Sequence, residues 1–280
     1  MLRKKRLKAA RYGDIDVYYL PHLDGGGTSF GQDFVPIVEE HFKNVGRVCE
    51  FCSGPGFIGF SLLAHGLCDS LCLVDINKDA IEACKYTIRE SGLSNRVAAY
   101  VSNGLKNVPK SEKWDLVVSN PPHFSGTEKE YGMDVIAIDP GWRIHREFYK
   151  NISRFLKPGG SVVFVENEVG SNPRQWRKMI EENGLRQVKS FRYNGIKRSD
   201  TSILRVFSDR VIESVQDGTI FSKGSKFYLH NFKKFVRGTY RQDKFYYVWS
   251  KKGGREAARG KMRHNMPVGH VAGFCEGSYS

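Results

Sequence analysis

Two stretches of this chain combine glycines, carboxylates and amides in spacings that suit ligand chemistry. The first is Glu50-Phe51-Cys52-Ser53-Gly54-Pro55-Gly56-Phe57-Ile58-Gly59, which contains G-x-G-x-x-G. Such glycines, between a strand and a helix, permit a tight turn and let a ligand lie against backbone amides at a helix N-terminus. Asp75 follows 21 positions after Gly54, the separation at which a carboxylate meets ribose hydroxyls. Dinucleotide folds use the same device, so these residues alone leave several nucleotide cofactors in competition. Glu50 tips the choice. A carboxylate repels a pyrophosphate and attracts a cofactor that carries a sulfonium and an ammonium group. The second stretch is residues 114–124, where an apolar run ends in Asn120-Pro121-Pro122-His123. In open α/β sheets, ligands bind at such a carboxyl edge.

These motifs need a frame. From residue 47 to residue 207 strand-like and helix-like segments alternate, which predicts an α/β, doubly wound, seven-stranded and mostly parallel sheet. Strands are expected at 47–52, 70–75, 96–101, 114–119, 161–166, 186–193 and 201–207, and helices at 56–64, 78–91, 141–156 and 173–183. Asn77 is placed to cap a helix, Gly92 to end it, and residues 157–160 (Lys-Pro-Gly-Gly) to break the chain before a strand. The chain thus divides into three parts. Residues 1–46 hold a basic segment, a Gly-rich loop at 23–32 and a helix at 33–42. Residues 47–207 form the core, and residues 208–280 form a basic, aromatic-rich extension with strand-like stretches at 219–228 and 243–250.

With the motifs in this order, the sequence resembles the class I S-adenosylmethionine-dependent methyltransferases, from about Gly25 to Phe207. Within them it is most similar to the amino-methylating branch with an N-P-P-aromatic motif, which includes glutamine N5- and adenine N6-methyltransferases. The resemblance implies a Rossmann-like fold with S-adenosyl-L-methionine as cofactor. It places the cofactor at Gly54, Gly56 and Gly59, with Glu50 nearby, Asp75 on the ribose and Asn103 beside the adenine amine. Where this chain has Asn103 the family often has aspartate, and where it has His123 the family usually has Tyr, Phe or Trp.

The branch's chemistry fits Asn120 and Pro121. An amide or exocyclic amine has a conjugated lone pair and is a poor nucleophile. If the Asn120 side-chain oxygen and the Pro121 carbonyl accept its two N–H bonds, they fix the nitrogen for attack and stabilise its developing positive charge. His123 can stack on a planar acceptor or bind a proton. Residues 125–140 read as a long loop over the site. From it and the helix start, Tyr131, Asp134, Asp139 and Trp142 are candidates for the acceptor pocket, and Arg143, His145 and Arg146 for an acidic group.

The net charge of +14 sits at the ends. Residues 1–12 carry six Lys and Arg and no carboxylate, and residues 208–280 carry 14 Lys and Arg against 6 Asp and Glu. In the extension Phe227, Tyr228, Phe232 and Phe235 interleave with lysines, a pairing suited to single-stranded RNA or DNA. A solvated β appendage fits the same residues. The expected activity is therefore N-methyl transfer to a planar amine or amide, with nucleic acid favoured. The alternatives are a protein glutamine, or a small molecule receiving the cofactor's methyl or aminopropyl group. No apolar run approaches the roughly 18 residues of a membrane span, and no apolar stretch follows the basic N-terminus, so neither membrane nor signal peptide is expected. Cys49 and Cys52 form C-x-x-C, but the pattern stands alone. It reads as buried thiols in a reducing, cytoplasmic compartment, with no metal site.

Overall fold

A computed structural model describes residues 7–23, 27–192 and 245–253. A hairpin of β1 (Lys8–Tyr12) and β2 (Ile15–Tyr19) leads into α1 (Gly27–His41). Then follow β3 (Arg47–Phe51), α2 (Phe57–Ala64), β4 (Ser70–Asp75), α3 (Lys78–Glu90), β5 (Val97–Val101) and β6 (Trp114–Ser119). A small unit of β7 (Phe124–Gly126), α4 (Glu128–Met133) and β8 (Ile138–Pro140) comes next. The chain continues with α5 (Arg143–Ile152), β9 (Leu156–Asn167), α6 (Pro173–Glu182), β10 (Leu185–Phe191) and β11 (Phe245–Lys252).

The main sheet has seven strands in the order β10-β11-β9-β6-β3-β4-β5. Strands β5, β4, β3, β6 and β9 run parallel, and β11 lies antiparallel to both β9 and β10. The inner strands β3, β4, β6 and β9 are buried on both faces because helices cover both. Along β4, Leu71 and Leu73 enter a core with α1, α2, α3 and the hairpin. Cys72 and Val74 enter a second core with α5 and α6. Along β9 Val163 and Val165 face the first core, and Val162 and Phe164 the second. The two-residue period of a strand thus feeds both layers, and each buried Val, Leu or Phe contributes about 1.5–3 kcal/mol.

Local signals account for several boundaries. Asn77 Oδ1 accepts the Asp79 and Ala80 amides at 2.9 and 3.3 Å and starts α3. Asn172 and Gln175 form a reciprocal capping box on α6, with Pro173 in its first turn.

Four features differ from the sequence reading. The seventh strand is β11, drawn from the stretch set apart as an extension, whereas 201–207 lies outside the described residues, as do 219–228 and the basic-aromatic segment. Buried Tyr246, Tyr247 and Val248 suit β11 to its place inside the sheet, between β9 and β10. The break at 157–160 falls inside β9, where the pairing with β6 shifts register between Trp114 and Leu116. Helix α1 begins at Gly27 and carries Pro36 in its interior. Residues 125–140 hold the β7–α4–β8 unit, started by a Thr127–Glu130 capping box. Among the described residues no helix is long and apolar enough to cross a membrane, and no group of His, Cys, Asp and Glu could hold a metal ion.

Candidate cofactor and acceptor site

At the carboxyl edge of β3, β4 and β6 lies a cavity of about 170 Å³. Its walls include Glu50, Gly54, Asp75, Asn103 and Asn120 from the expected site. Ile76, Tyr131, Val135, Ile136 and Ile144 also line it. Gly56, Gly59, Pro121 and His123 are not among its walls.

The glycine loop spends its amides inside the protein. Gly54 N donates to Asp75 Oδ2 at 2.7 Å, and Gly56 N donates to the Ser53 carbonyl at 2.8 Å. Ile58 N and Gly59 N donate to the Glu50 carboxylate at 3.3 and 2.7 Å. Gly56 is the N-cap of α2 in a left-handed conformation, φ 87°, and offers no side-chain cap. Glu50 supplies the missing acceptor from the neighbouring strand, and its ionised form suits a helix N-terminus. These amides hold the loop, and a pyrophosphate finds none of those named here free.

Gly56 and Gly59 serve packing. A Cβ at Gly56 would meet Phe60 at 2.9 Å, and one at Gly59 would meet Leu71 at 2.6 Å and Glu50 Oε2 at 2.9 Å. Gly54, by contrast, has a φ of 50° and open space beside it. It faces the cavity.

The cavity's charge is acidic. Glu50 and Asp75 line it, and none of its described walls is Lys, Arg or His. Burial pushes the Glu50 carboxyl up to about 8, against the pull of its two amide bonds. Burial also raises Asp75, against amide bonds from Asn77, Gly54 and Ile76. Cys52 is a free thiol that lines the cavity and Cys49 a free thiol in the core. Burial raises both, so the C-x-x-C pair is inert.

Asn120 follows β6 directly, and its Oδ1 is buried with no hydrogen-bond partner among the described residues. A buried acceptor left unpaired costs about 1–3 kcal/mol. Asn120 stands in the cavity wall as an unsatisfied acceptor. His123 turns away from the cavity, 15% exposed, with Nδ1 3.7 Å from Glu166 Oε2 and its ring 5.7 Å from that of Phe245.

Behind the loop lies a buried chain of ionisable groups that the sequence reading did not assemble. Asp139 Oδ1 and Oδ2 accept the Ile144 and His145 amides at 2.7 and 3.1 Å, capping α5 as Glu50 caps α2. His145 Nδ1 lies 2.6 Å from Asp139 Oδ2 and Nε2 2.9 Å from Glu166 Oε1. Glu166 was missed altogether. Its signal was a carboxylate closing the apolar run of β9. Of the other loop candidates, Arg143 pairs with Glu128, and Arg146 donates to the Gly141 carbonyl. Trp142 packs edge-on against Trp176. None of these cations reaches the cavity.

Comparison with known proteins decides the family. A model of the methyltransferase small domain matches residues 34–192. The chain belongs to that family. Its members are S-adenosylmethionine-dependent methyltransferases, and the cavity described above suits that cofactor's cationic groups. Among related proteins in this family, the chain is 30% identical over 191 residues to a release factor glutamine methyltransferase of Clostridium acetobutylicum, covering 63% of this chain and 61% of that one. It is 29% identical over 170 residues to a ribosomal RNA small subunit methyltransferase C of Actinobacillus pleuropneumoniae, covering 59% of this chain and 46% of that one. The chain therefore spans less than two thirds of either relative. In fold it is similar to the cyclase SpnF, with a TM-score of 0.52 at 12% identity over 79% of this chain and 80% of that one.

Proposed function

We propose that this chain is an S-adenosylmethionine-dependent N-methyltransferase acting on a planar amide or amine of a macromolecule, nucleic acid before protein. The observation that carries the reading is Asn120 Oδ1, a buried, unpaired acceptor in the wall of an acidic cavity at the sheet's carboxyl edge. When bound, the cofactor supplies an electrophilic methyl group on a sulfonium. Glu50 and Asp75 give the cavity the charge that tolerates a cation, and Asp75 keeps a lone pair on each oxygen for hydroxyls. Asn103 lines the same wall. Asn120 accepts an N–H of the acceptor, holds that nitrogen in place and stabilises the positive charge it gains. No strong base is required, because the proton departs after the charge has formed.

Related proteins methylate a protein glutamine or a ribosomal RNA by name, and both acceptors present a planar NH group. The charge of residues 208–280 favours a polyanion. The test is transfer of a radiolabelled methyl group to a fractionated lysate, with small-subunit ribosomal RNA and a bacterial release factor as defined probes. Label in an RNA fraction is the expected result. Label only in the release factor would move the acceptor to protein, and label only in small molecules would overturn the macromolecular reading.

A further inference from the structure

Glu166 lies outside the cavity walls, and the reading above gives it no task. It is nevertheless held with unusual care. Asp139, His145 and Glu166 are each at most 1% exposed. With an acidic oxygen against both ring nitrogens, His145 donates at each. Burial alone would depress it, but the Glu166 charge and the Asp139 bond hold it at about 9. Its ring also stacks on Trp176, 4.5 Å between centroids. Glu166 is buried too, yet the His145 charge and the His123 contact bring its carboxyl below the usual range.

One Glu166 oxygen is thus fixed by His145, and the other is aimed at the acceptor loop. Oε2 is buried without a hydrogen bond among the described residues, and so is His123 Nδ1, which faces it at the ion-pair distance of 3.7 Å. On the far side of the loop, a Cβ at Gly170 would overlap the His123 carbonyl oxygen. His123 is therefore gripped at its ring by Glu166 at the end of β9 and at its backbone by Gly170 in the turn that follows.

We infer that His123 is an anchor: Glu166, fixed by His145 and Asp139, seats the His123 imidazole behind the loop and so aims Asn120 Oδ1 into the cavity. The inference rests on the reading of residues 120–123 as the acceptor loop. It makes Glu166 and His123 positioning residues, neither of which touches the acceptor. A phenyl ring puts neither an N–H nor a charge opposite Glu166 Oε2, where His123 Nδ1 now stands at 3.7 Å, and a buried carboxylate oxygen facing only hydrocarbon is costly.

A double-mutant cycle tests this on the full chain, with Glu166→Gln, His123→Phe and the pair together. Three readouts are taken: cofactor affinity by calorimetry, initial rate of methyl transfer to whichever lysate fraction the wild type labels, and stability in urea. Each single change should cut the transfer rate by up to about 10²-fold, the scale of a small misplacement, and leave cofactor affinity within about twofold. The pair should lose less than the product of the two, by at least about threefold, because both changes break the same interaction. Multiplicative losses in rate would overturn the inference, as would unchanged rates in the single variants. Coupling in urea without coupling in rate would also overturn it, leaving a purely structural contact. Where no fraction takes label, additive effects in urea dismiss the contact itself. Asn120→Ala separates the two claims: if it transfers at the wild-type rate, the loop reading fails, whereas its loss beside an unaffected Glu166→Gln sinks the anchor alone.

Discussion

The Glu50 carboxylate accepts the Gly59 amide at 2.7 Å across the turn from β3 to α2. That bond turns a glycine-rich motif shared by many nucleotide folds into a specific one. It fills the position that a phosphate oxygen takes at other helix N-termini, and it puts a carboxyl group in the cavity wall. Asp139 treats α5 in the same way, so two of the helices that abut the site, α2 and α5, start on a buried acid borrowed from outside the helix.

Glu50 makes cofactor binding depend on pH. Its carboxyl is pushed up to about 8 by burial, and a cationic ligand favours the ionised form. Affinity for S-adenosylmethionine should therefore rise as pH climbs from about 6 towards 8 and then level off. Calorimetry at pH 7 in buffers of different ionisation enthalpy should report a released proton, and Glu50→Gln should abolish the release. For the free protein the sign is opposite. A carboxyl raised on folding contributes stability that is present below its unfolded value and lost as pH rises through about 8.

Gly59→Ala should destabilise the fold by about 1–3 kcal/mol, because the added Cβ lies 2.6 Å from Leu71. Thermal melting followed by circular dichroism measures it. Gly56→Arg should abolish cofactor binding by displacing Phe60 and Leu73, so the loss comes with a lower melting temperature.

His145→Gln removes the cation between two buried carboxylates and should cost about 3–5 kcal/mol. The raised value of His145 means that its contribution is full below about 6.5 and fades as pH rises through about 9. Urea unfolding at pH 7 and pH 9.5 should show that decline in the wild type and a smaller one in the variant.

The layout of the sheet was legible because strand and helix patterns alternate and each motif falls at a strand end. The expected strand at 70–75 and the structural β4 coincide, and Asn77 caps α3 as its position suggested. What stayed hidden depends on distance along the chain. β11 reads as a strand by its run of aromatic and β-branched residues, but nothing local to it reveals insertion between β9 and β10. Glu50 was read as a cofactor acid on charge alone, and its second duty, capping α2, appears only when strand and helix are folded together. Glu166 looks like an ordinary strand-end residue until His145 and His123 converge on it. The capping box of Thr127 and Glu130, which starts α4, was readable from spacing and was passed over.

The basic segment after residue 207 should make nucleic-acid binding depend on salt. Changing Lys226, Lys233, Lys234 and Arg237 to Ser should flatten the slope of log affinity against log salt by about 0.7–0.9 for each phosphate that the variant no longer neutralises. Filter binding of total RNA and single-stranded DNA at several salt concentrations measures it. Equal, weak binding by both proteins at low salt would remove nucleic acid as the favoured acceptor.

The central claim is that Asn120 holds the nitrogen that receives the methyl group. The direct measurement pairs two numbers for Asn120→Ala: the affinity for S-adenosylmethionine by calorimetry, and the rate of labelled methyl transfer to the fraction that the wild type modifies. The account predicts a rate lowered by about 10²-fold or more with affinity changed by no more than about twofold, because the deleted bond acts on the acceptor and its transition state. A variant that transfers methyl groups at the wild-type rate, or one whose rate falls only because it no longer binds the cofactor, would contradict it.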